Sequence, residues 1–309
     1  MSDHEMTPEC PERFQRTALL LGGEGAACLA RARVMVFGLG GVGSYAVEAL
    51  ARAGIGHLTL VDFDVVAPSN INRQLFALDS TVGQFKTDVA RARILDINPN
   101  AGVECFEVFA GPDTLDQLPP MTGAYVLDAI DTVSAKAHLL AAAYRAGAFT
   151  VSCMGAGNKV DPRGVLVDDI SATRDCPLAR AVRQQLRKAG VTTGILCVYS
   201  RERRHATVAV TPEAPHRKSR VQGSIAHVPG IFGLTAAGVI IGAITGCVSC
   251  GRADSRRVSA GLRDQALSDE SDESDQSDES DQSDLLDSSG LSDPSDPSDR
   301  SDPYHKEPR

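Results

Sequence analysis

The sequence predicts an α/β fold whose sheet is doubly wound and mostly parallel, as in Rossmann-like proteins. Apolar strand-like runs alternate with helical patterns from residue 33 to residue 153, and this alternation is typical of parallel strands joined by crossover helices. A glycine-rich loop lies between the first strand and the next helix. Aromatic residues make up only 5% of the chain, which disfavours an aromatic-rich β-sandwich.

The elements follow one another in a regular order. Strands are short apolar runs rich in β-branched residues, and helices have apolar residues at helical spacing with a glycine or an Asn-Pro pair at their ends. We predict strands at residues 33–38, 57–62, 102–109, 124–128, 150–153, 195–199 and 206–210. We predict helices at residues 19–30, 42–53, 86–97, 134–146, 178–189 and 233–245. The first two strands and the helix between them form a βαβ unit with a right-handed crossover.

Residues 230–248 form an uncharged, apolar run. Its 19 residues reach the lower limit for crossing ~30 Å of hydrocarbon. Glycines, alanines and two threonines dilute its hydropathy. We therefore expect a buried core helix here, with membrane association through 230–248 as the less favoured alternative.

Charge divides the chain into two parts. Residues 264–309 contain 16 acidic and 3 basic side chains, a net charge of −13, whereas residues 1–263 have a net charge of +4. Beyond residue 250 the chain consists largely of Ser-Asp repeats, which cannot bury enough apolar surface to offset the entropy of ordering. We therefore expect one domain at residues 1–250 and a disordered acidic tail at 251–309.

The eight cysteines are scattered without a compact framework, which disfavours a disulfide-stapled secreted domain. The N-terminal residues have neither an export signal nor the pattern of a transit peptide. We therefore expect a cytoplasmic protein.

The glycine-rich loop predicts an anion site. Gly38, Gly40, Gly41 and Gly43 lie between a predicted strand and a predicted helix, where backbone amides and the helix N-terminus attract phosphate. Asp62 ends the next strand, at the position that binds ribose hydroxyls in dinucleotide-binding folds.

The residues after Asp62 favour a nucleoside triphosphate over a nicotinamide dinucleotide. Asp64, Asn70, Arg73 and Gln74 follow closely, and Lys86 opens the next predicted helix. Arg and Lys neutralise phosphate charge and a carboxylate holds Mg²⁺, whereas hydride transfer needs neither. A dehydrogenase or a non-catalytic dinucleotide-binding protein is therefore disfavoured.

These motifs together resemble a known family. Gly-Leu-Gly-Gly-Val-Gly, Leu-Val-Asp-Phe-Asp, Ser-Asn-Ile-Asn-Arg-Gln, Val-Gly-Gln-Phe-Lys, Ile-Asn-Pro and Leu-Asp-Ala-Ile-Asp occur in the order that is typical of the ThiF/MoeB superfamily, adenylating enzymes related to ubiquitin-activating enzymes. The resemblance covers about residues 10–250 and implies a homodimer that binds ATP.

The resemblance also implies roles for individual residues. Gly41, Asp62 and Asn70 would bind ATP, and Arg73 and Lys86 would bind it and act in catalysis. Asp131 would hold Mg²⁺. An arginine from the N-terminal segment of the other subunit would complete the phosphate site, and Arg13 and Arg16 are the matching residues.

Later motifs suggest a branch of this family. Sulfur-carrier activators have two Cys-x-x-Cys pairs that bind zinc, whereas Cys247 and Cys250 form a lone pair here, so we expect no zinc. Gly-Ala-Gly-Asn-Lys at 155–159, Ile-Leu-Cys-Val-Tyr-Ser at 195–200 and Pro-Gly-Ile-Phe-Gly at 229–233 resemble the tRNA threonylcarbamoyladenosine dehydratases. This resemblance implies ATP-dependent activation of the threonyl carboxylate on tRNA and closure to a cyclic form.

The same motifs are compatible with a second function and with a protein nucleophile. The alternative function is an adenylating activator of a ubiquitin-like or sulfur-carrier protein, with a carrier-protein or sulfur-transfer partner.

Cys197 is the candidate catalytic nucleophile if a protein thiol takes part, ahead of Cys153. A strand cysteine between Leu and Val is, however, more often a buried apolar residue.

A basic segment favours an RNA partner. Residues 180–220 have a net charge of +8, which suits the phosphate backbone of a tRNA. An ordinary solvated helix face followed by a basic loop would have the same composition. The candidate tRNA-binding residues are Arg183, Arg187, Lys188, Arg203 and Arg204.

Overall fold

The computed structural model describes residues 10–206 and 222–247 of the 309-residue chain. All of them lie in one compact unit, Met1–Ala266, and the second unit, Leu267–Arg309, lies outside the described residues. The predicted disordered tail at 251–309 lies outside the described residues. The predicted strand at 206–210 also lies outside them, apart from residue 206.

The described residues form a seven-stranded sheet with the strand order β3-β2-β1-β4-β5-β7-β6. Neighbouring strands are parallel except for β6, which pairs antiparallel with β7. The predicted α/β class with a doubly wound, mostly parallel sheet is therefore confirmed. The strands are β1 (Arg33–Phe37), β2 (His57–Val61), β3 (Gly102–Phe106), β4 (Tyr125–Asp128), β5 (Phe149–Cys153), β6 (Val165–Asp169) and β7 (Leu196–Ser200).

Helices cover the sheet and connect its strands. They are α1 (Gln15–Arg31), α2 (Gly43–Ala53), α3 (Lys86–Ile97), α4 (Val133–Arg145), α5 (Pro177–Lys188) and α6 (His227–Thr245). Each helix agrees with a predicted one, although α6 begins six residues earlier than expected and α1 is broken by Gly22, whose φ is 76°. These helices pack on strands buried along most of their length, so the core lies on the faces of the sheet.

Sequence patterning missed strand β6. This strand lies at the edge of the sheet, where Leu166 and Val167 are more than a third exposed. Its Val-Leu-Val-Asp-Asp sequence therefore lacks the long apolar run by which the buried strands were recognised.

The topology fixes where a site can form. The chain passes from β1 to β2 and β3 on one side, and the strands that follow are added on the other side of β1. At such a switch point the loops after β1 and β4 diverge and leave a crevice at the carboxyl ends of the strands. The glycine-rich loop after β1 therefore faces this crevice.

Helix α6 packs against the start of α2. A Cβ atom placed on Gly233 would lie 2.2 Å from the carbonyl oxygen of Val42, so the two backbones are in direct contact. Phe232, Ala236 and Ile240 on α6 are fully buried. Helix α6 is long and apolar enough to cross a membrane. Half of its most apolar stretch is buried within the protein, however, as expected for a core helix.

We expect Gly233→Ala to destabilise the protein by about 1–3 kcal/mol, because the added methyl group forces two helix backbones apart. Gly238→Ala is the matched control on the same helix, since nothing lies within 4 Å of an added Cβ there. The control should be neutral or stabilise by up to about 1 kcal/mol through helix propensity. Urea-induced unfolding of both variants measures the difference, and equal stability would contradict the described packing.

Candidate active site

A cavity of about 1000 Å³ opens at the carboxyl ends of β1, β2, β4 and β5. The predicted ATP-binding residues that line it are Gly38, Gly40, Gly41, Asp62, Asp64, Asn70, Arg73, Gln74, Lys86 and Asp131, whereas Gly43 does not line it. Residues from distant parts of the chain meet here because the strands that precede them end at one edge of the sheet.

The glycine-rich loop turns tightly between β1 and α2. Gly38 has a φ of +88°, which favours glycine. A Cβ atom on Gly43 would lie 1.8 Å from the carbonyl oxygen of Gly38, so no side chain fits at the first residue of α2. This close contact brings the helix N-terminus and the loop amides to the wall of the cavity, where they can bind an anion.

Asp62 fastens the glycine-rich loop to the end of β2. Its Oδ2 accepts a hydrogen bond from the backbone N–H of Leu39 at 2.6 Å, and its Oδ1 accepts one from the backbone N–H of Asp64 at 2.9 Å. Burial raises the pKa of Asp62 above its ordinary value, although Lys86 and the two N–H groups oppose this shift. Besides any contact with a ribose, Asp62 therefore shapes the loop itself.

Lys86 is a cation held in the cavity wall. Its Nζ lies 2.7 Å from Asp64 Oδ2 and 3.9 Å from Asp62 Oδ1, and only 6% of its side chain is exposed. The backbone N–H of Lys86 also donates to the carbonyl of Asp64 at 3.1 Å. Both ends of the residue are thus fixed, and its charge can act on a bound anion with little competition from water.

Arg73 lies across the cavity on a short helical turn. The carbonyl of Asn70 accepts hydrogen bonds from the backbone N–H groups of Arg73 and Gln74, while Asn70 Oδ1 accepts one from Ala67. Arg73 Nη1 donates to the carbonyl of Ser69 at 2.8 Å. Asn70 therefore orients the turn that aims Arg73 at the cavity.

Asp131 fits a role in holding Mg²⁺. Its side chain lines the cavity and is exposed, and its only hydrogen bond from a described side chain is a 3.4 Å contact from Thr132 Oγ1. No cluster of three or more His, Cys, Asp or Glu side chains that could hold a metal occurs in residues 10–206 and 222–247. Mg²⁺ typically uses one or two carboxylates together with substrate phosphates, which suits this arrangement.

A buried ion pair supports the Asp131 loop and was not predicted from the sequence. Asp128, the last residue of β4, accepts hydrogen bonds from Lys136 Nζ and Ser152 Oγ, both at 2.6 Å. Its other oxygen accepts one from the backbone N–H of Ile130 at 3.0 Å. The Asp128 and Lys136 side chains are fully buried. The available signal was an apolar strand that ends in Asp, followed by a lysine on the apolar face of the next helix.

Two aromatic rings at the cavity were also missed. Phe63 and Phe109 line it, are 52% and 45% exposed, and pack edge to face with ring centroids 5.4 Å apart. Partly exposed rings beside a phosphate-binding loop offer a surface on which a base could stack. Sequence alone gives no signal for this pair, because phenylalanine in α/β folds usually belongs to the core.

Arg13 and Arg16 do not line the large cavity of their own chain. Arg13 Nη1 donates to the carbonyl of Ile97 at 2.9 Å, beside a separate cavity of about 340 Å³, and Arg16 is exposed on α1. The family resemblance assigns these arginines to the site of the other subunit, so their role across a dimer stays a prediction.

The surroundings of Cys197 disfavour the predicted catalytic role. The residue is fully buried in β7, is absent from the cavity lining, and has a thiol pKa that burial raises well above its ordinary value. Cys153 does line the cavity, but it is only 2% exposed and burial raises its pKa to about 12. Neither thiol is suited to act as a nucleophile, because the thiolate is the reactive form.

The basic candidates serve different purposes in the structure. Arg183 Nη1 donates to the carbonyls of Ile170 and Thr173, both at 2.9 Å. Its guanidinium thereby holds a turn of its own chain, which argues against the predicted contact with tRNA phosphates. Arg187, Lys188 and Arg203 are exposed. Arg204 is exposed too, but it lines the cavity.

The geometry agrees with comparisons to known proteins. A sequence model of the ThiF family matches residues 14–269. The chain belongs to the ThiF family. Among curated ThiF-family relatives, the tRNA threonylcarbamoyladenosine dehydratase of Bacillus subtilis is 42% identical over 236 residues, which are 74% of this chain and 93% of that protein.

Two further ThiF-family matches are informative. The crystal structure of Escherichia coli tRNA N6-threonylcarbamoyladenosine dehydratase, TcdA, in complex with ATP has a TM-score of 0.66 and 36% identity, and the match covers 76% of this chain and 94% of that one. The molybdopterin-synthase adenylyltransferase of Salmonella typhimurium is 41% identical over 149 residues, which are 47% of this chain and 57% of that protein.

Lys136→Met should destabilise the protein by about 3–5 kcal/mol, because Asp128 would remain buried without its cation. Adding Asp128→Asn to this variant should recover part of the loss, since both charges are then absent. Lys188→Met, at an exposed lysine, should change the free energy of unfolding by less than about 0.5 kcal/mol. Urea-induced unfolding measures all three, and a Lys136→Met variant as stable as the control would contradict this ion pair.

Alkylation by iodoacetamide at pH 8 should modify Cys247 well before Cys153 or Cys197 in the native protein. Cys247 is exposed, whereas the other two thiols are buried with raised pKa values, so little of them is thiolate at this pH. Peptide mass spectrometry follows each site over time, with guanidinium-unfolded protein as the control. Equally fast modification of Cys197 would show that β7 opens readily.

Proposed function

We propose that this chain is an ATP-dependent tRNA threonylcarbamoyladenosine dehydratase, which adenylates the threonyl carboxylate of N6-threonylcarbamoyladenosine in tRNA. The observation that carries the proposal is a single cavity that combines a phosphate-binding loop with the cations Arg73 and Lys86 and the carboxylate of Asp131 in this ThiF-family chain. The extensive similarity to dehydratases of Bacillus subtilis and Escherichia coli supports it.

The reaction has two steps. A carboxylate oxygen attacks the α-phosphorus of ATP, and pyrophosphate leaves. The ureido oxygen of the same substrate then attacks the activated acyl carbon, the ureido nitrogen loses its proton, and AMP leaves with the original carboxylate oxygen. Because both reacting groups belong to one substrate, the second step has a high effective molarity and needs no protein nucleophile. The burial of Cys197 agrees with this route.

The side chains supply charge and position. The amides of the glycine-rich loop would bind the phosphates, with Arg73 and Lys86 stabilising the negative charge that develops on the transferring and leaving groups. Asp131 would hold Mg²⁺, which supplies further positive charge at the phosphates. Phe63 and Phe109 offer a stacking surface for the adenine.

The assembly and partners follow from the same proposal. The enzyme would act as a cytoplasmic homodimer in which Arg13 or Arg16 reaches the phosphate site of the other subunit. Arg187, Lys188 and Arg203 would contact the tRNA backbone. We propose no zinc site. Cys250 lies outside the described residues, so the Cys247–Cys250 pair is not described as a whole.

Activation of a carrier protein is the weaker alternative. Its adenylyltransferase relative matches less than half of this chain, and Cys197 is too deeply buried to capture an acyl group. Nucleoside mass spectrometry of tRNA incubated with the protein and ATP tests the choice directly. Cyclic threonylcarbamoyladenosine supports the dehydratase, whereas pyrophosphate exchange that requires a small Gly-Gly-ended protein supports the activator.

Arg73→Ala and Lys86→Ala should each reduce tRNA-dependent pyrophosphate exchange by at least about 100-fold, because both cations stabilise phosphate charge in the transition state. Arg145→Ala is the control: Arg145 is exposed at the end of α4, near the opposite edge of the sheet. Circular dichroism should show that Arg73→Ala folds normally. Lys86→Ala should lose some stability, since it leaves Asp62 and Asp64 without their cation. Exchange at the wild-type rate in both variants would remove the adenylation mechanism.

A further inference from the structure

Part of the large cavity lies beyond the groups assigned to ATP. It is lined by the end of β5 and the residues that follow, by the first turn of α5, and by Arg204 and Gln222. Its total volume of about 1000 Å³ is at the upper end of the range for one small-molecule site. There is therefore room for a second reactant beside the nucleotide.

Asn158 fixes the two chain segments that carry Arg204 and Gln222. Its backbone oxygen accepts a hydrogen bond from His205 N at 2.8 Å, and its Oδ1 accepts one from Gly223 N at 2.6 Å. Its own N–H donates to the carbonyl of Gly223 at 2.8 Å. Asn158 has a φ of 60°, a conformation that asparagine tolerates better than most residues. One residue thus holds both segments at the rim of the cavity.

Arg204 and Gln222 both line this part of the cavity. A Cβ on Gly155 would lie 3.5 Å from Arg204 Nη2, and one on Gly157 would lie 2.5 Å from Gln222 Oε1, so both side chains lie over this glycine segment. Neither side chain forms a hydrogen bond or ion pair within residues 10–206 and 222–247. Their neighbours differ, since Arg201 pairs with Asp175 and Glu202 accepts hydrogen bonds from Val160 and Asp161.

We propose that Arg204 and Gln222 form the acyl subsite, in which Arg204 binds the carboxylate of the substrate and Gln222 binds its ureido group. The guanidinium fork matches a carboxylate, and a carboxamide offers the donor and acceptor that a ureido group needs. The inference rests on the proposed function and replaces the earlier role of Arg204 as a contact to the tRNA backbone.

Electrostatics gives a reason for a cation at this point. The substrate carboxylate must approach a triphosphate of the same sign, and like charges repel strongly in a cavity of low dielectric. Arg73 and Lys86 are already engaged with Ser69 and Asp64 on the nucleotide side. Arg204 is the remaining described cation in the cavity lining. Its positive charge can offset the repulsion between the substrate carboxylate and the triphosphate.

The test compares binding of two tRNAs, one with threonylcarbamoyladenosine and one with unmodified adenosine at the same position. Wild-type protein should bind the modified tRNA more tightly. Arg204→Ala should reduce this preference by about 10- to 100-fold, with the Kd for unmodified tRNA and the Kd for ATP within about twofold of wild type. Gln222→Ala should reduce it less, and Arg204→Lys should restore part of it. Arg145→Ala is the matched control.

Three outcomes would overturn the subsite. Equal weakening of both tRNAs by Arg204→Ala would make Arg204 a backbone contact. A weaker Kd for ATP in that variant would make it a nucleotide contact. An unchanged preference would leave it without a role in substrate recognition. Each of these leaves the proposed function intact as long as the wild-type protein forms the cyclic nucleoside. If the wild-type protein forms none, the proposed function fails and the subsite fails with it.

Discussion

The carboxylate of Asp62 ties together the parts on which the whole site depends. It accepts hydrogen bonds from Leu39 and Asp64 and lies beside Lys86. The loop after β1, the end of β2 and the start of α3 are thereby fixed relative to one another. Because parallel strands end at one edge, a single buried acid at the end of β2 can reach all three. Arg73 and Asp131 then face a loop whose shape is already set.

Two buried lysines in and beside the site are each held in place by a carboxylate. Lys86 pairs with Asp64 beside Asp62, and Lys136 pairs with Asp128. Burial of a charge is costly unless a partner and further hydrogen bonds compensate, and Ser152 and the N–H of Ile130 complete the partners of Asp128. Side chains fixed in this way need little rearrangement when an anionic ligand binds, which is the condition for effective electrostatic catalysis.

Sequence reasoning was most successful where burial is continuous. The strands β1, β2, β4 and β5 are buried along most of their length, so they appear as short, mostly apolar runs. The glycine-rich loop has a spacing that few other structures require. Sequence reasoning failed where a role depends on a contact distant in sequence. Arg183 lies at helical spacing with exposed arginines, yet its guanidinium donates hydrogen bonds to backbone carbonyls of the turn at 170–173. A catalytic role for Cys197 requires an exposed thiol, and the pattern of a strand does not show which of its side chains are exposed. The pairing of Phe63 with Phe109 requires two loops that are distant in sequence to meet.

The pairing of β1 with β4 has a consequence for how the enzyme is made. Val34 pairs with Tyr125, and helices α2 and α3 with strands β2 and β3 lie between them in the chain. Such distant pairing has a high entropic cost of loop closure and is expected to form slowly. The glycine-rich loop and Asp131 come together only through this pairing. A partly folded chain would therefore have no complete nucleotide site, and nucleotide binding would selectively stabilise the fully folded protein.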